Sequence, residues 1–211
     1  AAYGAAAPTP AVTSARKASQ VSTLPRSGDG RLQTVRAAAQ SGNFADCAAR
    51  STRPRSIDVS YERAWCVYNL DRPLEALALF RATATAGSDA TVTRDARFGM
   101  ALTYTKLGMT EEAARVSAST SFTPAQRRDV EAIILDQRGV QAYQRNDHRR
   151  AIAFFDALEA LQGSLRRDLA ILRAYSHLAI GDHATAHAQF EALHRQLATA
   201  ETRRGLDAAQ E

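Results

Sequence analysis

An alanine stands five residues after each of four turn-like breaks, at Ala76, Ala113, Ala151 and Ala186, with intervals of 37, 38 and 35 residues. A small residue returning at such a distance is the signature of a helix–turn–helix repeat of about 34 residues carrying short insertions. The breaks hold the residue types that end one helix and begin another. They are Asn69 to Pro73, Leu107 to Thr110, Asn146 to His148 and Ile180 to His183, with an earlier one at Ser41-Gly42-Asn43. Glycine or asparagine supplies the left-handed residue that closes a helix, and Asp or Thr is expected to cap the next. At Thr110 the acids Glu111 and Glu112 follow, in a first turn where the helix dipole favours them.

From Arg31 to the C-terminal end, apolar residues and alanines recur every three or four positions, and no five-residue Val/Ile/Thr alternation argues for a strand. Residues 1–30 differ. Pro8, Pro10, Pro25 and several glycines interrupt any helical period, which predicts a flexible arm or linker before a helical region over 31–211. Ala1 to Pro10 reads either as the small-residue stretch behind a cleaved export signal or as a cut through a longer chain.

Four stretches stand in one register. They are Tyr175 to Phe190, Ala101 to Ala113, Gly139 to Phe155, and Ala64 to Phe80, the last with Asp71 where glycine is usual. A shorter hairpin around Gly42 to Cys47 precedes them. The chain over roughly 31–200 resembles the tetratricopeptide repeat family. The resemblance implies an all-α, right-handed superhelical solenoid of stacked antiparallel helix pairs. It also implies close helix contacts at Ala64, Ala101, Gly139 and Ala174, opposite the recurring alanines. Phe80, Phe155 and Phe190 would then fill the gap to the next hairpin. Ser117 takes that place in one repeat, which is expected to pack least well.

In that family ligands lie in a concave groove lined by the first helix of each pair. Position by position, the resemblance puts Tyr61, Trp65, Tyr68, Phe98, Leu102, Tyr143 and Tyr175 in or near such a groove. Large, stiff rings with a polar tip suit a peptide or a sugar there, although several of them would serve equally as core. The Lys–Asn clamp that some members use for chaperone tails is missing, since Tyr61 and Trp65 stand in its place.

Cys47 and Cys66 fall on neighbouring helices in this reading. They are either a disulfide, if their Cα atoms approach within about 7 Å, or two buried small side chains. His183, His187 and His194 share one helix face, but no carboxylate or cysteine completes a metal shell, so no metal or other cofactor is expected. His183 and His148 are expected at hairpin corners. The pairs Arg127-Arg128, Arg149-Arg150 and Arg166-Arg167 and the net charge of +5 invite an anion. Sparse rings and the adjacent Asp129, Asp147, Asp156 and Asp168 speak against nucleic acid. No apolar run is long enough to span a membrane, and no nucleotide loop, nucleophile elbow or zinc-protease motif occurs.

The Ala- and Arg-rich, loosely spaced repeats are also similar to the periplasmic repeat regions of bacterial exopolysaccharide export proteins, of the kind that serve cellulose synthase. That resemblance implies a non-catalytic periplasmic scaffold in exopolysaccharide (cellulose) synthesis and export. It would meet synthase or outer-membrane export subunits and guide a glycan. The alternative is a general adaptor, periplasmic or cytoplasmic, that holds a peptide or protein in its groove.

Overall fold

The computed structural model describes residues 24–87 and 89–210. They form eleven helices and no strand. In chain order these are α1 (Leu32–Gln40), α2 (Phe44–Arg50), α3 (Ile57–Asn69), α4 (Pro73–Ala86), α5 (Ala90–Lys106), α6 (Thr110–Ala118), α7 (Pro124–Gln144), α8 (His148–Gln162), α9 (Arg167–Ala179), α10 (His183–Gln196) and α11 (Ala200–Ala208). The chain divides into two compact units, one ending at Arg127 and the other beginning at Arg128, within the first turn of α7. Inside each unit helices pack on their neighbours in series. In the first, α1, α3 and α5 also touch one another in order, and in the second α9 touches α11.

One turn is used five times. Gly42, Asp71, Gly108, Asn146 and Gly181 all lie in the left-handed region, with φ of 74°, 58°, 71°, 59° and 81°. In each case the next residue donates its N–H to the carbonyl five positions back: Asn43 to Ala38, Arg72 to Val67, Met109 to Tyr104, Asp147 to Ala142 and Asp182 to His177, at 2.9–3.1 Å. This is the Schellman closure, which satisfies carbonyls that the helix end would otherwise orphan. The second helix of each hairpin then starts two residues past the left-handed one. Asn43, Asp147 and Asp182 accept a backbone N–H there as N-caps, and Pro73 stands at the first position of α4. Thr110 is not a cap. The turn at Gly108 places the N-cap at Met109, and Thr110 is the first helical residue, nearly buried.

Ala64, Ala76, Ala101, Ala113, Ala151, Ala174 and Ala186 have no exposed surface, and Gly139 is buried with them. The rings of Phe80, Phe155 and Phe190 are fully buried as well. Each is worth about 2–3 kcal/mol of apolar burial. Each of them also meets a bare glycine, though not one at the same place in the repeat. Phe80 of α4 lies on Gly99 of α5 and Phe190 of α10 lies on Gly205 of α11, whereas Phe155 of α8 lies on Gly139 of α7, in its own hairpin. The hairpin of Ser117 has no such ring, but it receives one from outside the repeat pattern, on its first helix. Phe122, in the turn after α6, is nearly buried and meets Phe98 edge-on at 5.9 Å.

Cys47 on α2 and Cys66 on α3 are joined by a disulfide, with Cα atoms 6.0 Å apart. Of the arm expected over 1–30, residues 1–23 lie outside the described residues. Residues 24–30 run against the start of α3, where the carbonyls of Pro25 and Arg26 accept the N–H groups of Ile57 and Asp58 at 2.9 and 3.1 Å. Asp29 is buried and receives Arg31 through two guanidinium nitrogens and Arg55 through its backbone N–H. The same guanidinium donates to the carbonyls of Arg50, Thr52 and Arg53. One side chain thereby holds the whole α2–α3 corner, including Arg53 at φ 47°.

The first helices of the first four hairpins lengthen step by step, before α9 returns to 13 residues. α1, α3, α5 and α7 have 9, 13, 17 and 21 residues. The closing turn is the same in each, so every increment of about one helical turn is added at the N-terminal end.

Candidate functional site

Tyr61, Trp65 and Tyr68 occupy positions i, i+4 and i+7 of α3 and so share one face. Phe98 of α5 joins them. Trp65 is the centre of the group. Its ring lies 4.8 Å from Phe80 beneath, 5.7 Å from Tyr68, and 6.3 Å from both Tyr61 and Phe98. Most of these contacts are edge-to-face, the arrangement that the ring quadrupole favours. Phe80 is the buried floor, while Tyr61, Trp65, Tyr68 and Phe98 stay part-exposed. Leu102, one turn beyond Phe98 on the same side of α5, is also part-exposed.

The rim of this cluster is charged and internally paired. Arg36 of α1 meets Glu62 at 2.7 Å, and Asp95 receives Arg94 at 3.1 Å and Gln126 at 2.8 Å. Lys106 sits 4.6 Å over the Tyr68 ring, donates to the Tyr68 carbonyl at 3.1 Å and pairs with Asp71 at 3.0 Å. Burial pushes the Tyr61 hydroxyl's pKa up, so the group stays neutral at ordinary pH.

Tyr143 and Tyr175 belong to the second unit and make separate contacts. Tyr143 packs against His148 at 5.5 Å, at the corner between α7 and α8. Tyr175 packs on Phe190 at 4.8 Å and donates its hydroxyl to the Glu201 carbonyl at 3.2 Å. Burial raises its pKa as well. The second unit also has an open cleft of about 340 Å³ with Ile133, Leu158, Leu165 and Leu169 among its walls, and Arg166 pairs with Asp136 at its rim.

The histidines on α10 do not converge. His183 is exposed rather than packed at a corner, His194 pairs with Thr202 at 2.8 Å, and His187 lies 3.2 Å from Gln210. Among the described residues no group of three or more His, Cys, Asp or Glu side chains could hold a metal ion. Arg166 and Arg167 are committed internally. Arg166 binds Asp136 and Asp168, and Arg167 donates to the carbonyls of Leu193 and Leu197. No helix among the described residues is long and apolar enough to cross a membrane.

Sequence reasoning missed Phe122 and Lys106. The first stands in a turn, outside any helical period. The second is an ordinary exposed lysine until the fold brings it across to Tyr68, thirty-eight residues earlier. Comparison with family models, with curated proteins and with solved structures finds no match for this chain.

Proposed function

We propose that the chain is a non-catalytic scaffold that holds a polypeptide partner against the Trp65 cluster, in an oxidising compartment such as the bacterial periplasm. The observation that carries this reading is the cluster itself. Four part-exposed rings from two helices are gathered over one buried phenylalanine. Ring groups that are fixed by their neighbours yet not covered by them make good anchors for a partner's side chains, because little entropy is left to lose on binding.

The packing favours a polypeptide over a glycan. A sugar stacks on an open, flat ring face, but Lys106 already sits over Tyr68, and Trp65 is met by three other rings edge-on. The finer architecture we infer is a right-handed superhelix of tetratricopeptide-type hairpins. It is supported by the five equivalent turns and by the buried small residues on facing helices. The Cys47–Cys66 bond supports an oxidising compartment. Together with the exopolysaccharide-export resemblance, this makes synthase or outer-membrane export subunits the proposed partners.

Capture of the tagged chain from its host, with partners identified by mass spectrometry, tests both parts. The reading expects export or synthase subunits on the intact chain and their loss from Trp65→Ala. Partners that stay bound to Trp65→Ala would remove the cluster from the binding site. Exclusively cytoplasmic partners would discard the periplasmic reading and leave a general adaptor.

A further inference from the structure

The N-terminal hairpin, α1 with α2, is built differently from the others. Counting nine residues on from the left-handed turn residue reaches Phe80, Phe155 or Phe190 in three later hairpins, but from Gly42 it reaches Ser51. Ser51 is fully buried, and its hydroxyl donates to the Cys47 carbonyl of its own helix at 2.6 Å. It brings no ring to the next helix. Counting five residues on reaches alanine in the later hairpins and Cys47 here, and Cys47 is bonded to Cys66 of α3. The cystine therefore stands in one of the two hairpins that lack the ring, the other being that of Ser117, which keeps alanine at the fifth position.

What else holds this hairpin is modest. α1 has nine residues and α2 seven, both shorter than the roughly 12–15 that an isolated helix needs in water. Besides the cystine, Val35, Ala38 and Ala48 are their buried apolar side chains. The polar ties lie at the rim: Arg31 on the corner carbonyls, Arg36 on Glu62, and Arg63 on the Ala48 carbonyl.

We propose that Cys47–Cys66 is a redox-conditional lock on the N-terminal hairpin. With the bond closed, α1 and α2 are docked on α3. With both sulfurs reduced, they leave it while α3 to α6 stay folded. Opening takes two electrons and two protons from a dithiol reductant, which breaks the S–S bond, gives two thiols and turns the reductant into its own disulfide. Both cysteines are fully buried, so the closed form resists reductant until the hairpin opens, and a chain made in a reducing compartment never closes it. Opening also removes Arg36 from Glu62, beside Tyr61 and Trp65, and so takes away one wall of the ring cluster. The lock does not depend on whether that cluster binds a partner.

Hydrogen exchange read by mass spectrometry on the full chain tests it. Three forms are compared: oxidised protein, protein refolded in dithiothreitol, and Cys47→Ala/Cys66→Ala. Amides of 32–50 should lose protection roughly a hundredfold in both uncrosslinked forms, the scale set by a crosslink closing a short loop. Amides of 73–106 should keep theirs within about threefold. Unchanged protection over 32–50 overturns the proposal by making the bond redundant. Loss extending through 73–106, or failure of the reduced chain to fold, also overturns it, because the bond would then staple the whole unit. If only the alanine variant fails to fold, the reduced wild-type chain decides.

Discussion

The ring of Phe80 fills the space that a Cβ on Gly99 would need, so α4 and α5 meet with a ring directly against backbone. Phe155 does the same to Gly139, and Phe190 to Gly205. All three rings are fully buried and have no free direction in which to retreat. Gly99→Ala, Gly139→Ala and Gly205→Ala should therefore each destabilise the fold by about 1–3 kcal/mol, although alanine is the better helix former. Urea unfolding of the three variants checks this, and wild-type stability in any one would mean that its ring is not seated there.

Asn146 carries a left-handed backbone that an alanine side chain tolerates poorly. Asn146→Ala should cost about 1 kcal/mol, and Asn146→Gly should be neutral or stabilising. Equal midpoints for the two variants would show that the turn relaxes into another conformation.

The natural cystine gives a rule for placing new ones. Cys47 stands five residues after one left-handed turn residue and Cys66 five before the next. The same count selects Ala76 with Thr103 and Ala151 with Ser176, all four fully buried. Cysteine pairs at either location should close during oxidative folding, which intact mass and thiol titration under denaturant would register. Two free thiols in a folded variant would show that its hairpin junction differs from the first.

Acid should weaken the fold through a few carboxylates. Arg31 holds Asp29 well below the usual carboxylate range, and the N–H groups of Val92 and Thr91 lower Asp89. Thr185 lowers Asp182, and Arg166 lowers Asp168. A depressed folded pKa contributes stability that is fully present above the unfolded value of about 3.9 and is lost as pH falls through the folded one. Melting temperature should thus hold from about pH 7 to 5 and fall below about pH 4. In Asp29→Asn the starting value should be lower and the acid slope shallower, since the Arg31 partner is already neutral. An unchanged slope would exonerate Asp29.

Much of the helical pattern was legible because it rests on short-range counts. The left-handed residues at Gly42, Gly108, Asn146 and Gly181 and the alanines five places later can be read one turn at a time. The Trp65, Tyr61, Tyr68 grouping was legible for the same reason, being spaced along a single helix. What was hidden comes from contacts between distant segments. Phe122 meets Phe98 from a turn that has no period. Lys106 covers Tyr68 from the next hairpin, and Arg31 binds three carbonyls some twenty residues ahead. The seat of Phe155 depends on Gly139 presenting bare backbone, and a repeat alignment scores that glycine merely as small.

The lengthening of α1, α3 and α5 has a geometric consequence for recognition. All three are closed by the same turn at one end, so each reaches about 6 Å further from that turn than the one before it. A sloped edge looks different when read forwards and backwards. An elongated partner crossing these three helices would meet a short rim on one side and a tall one on the other. Its polarity on the surface would be set before any individual side chain had been recognised.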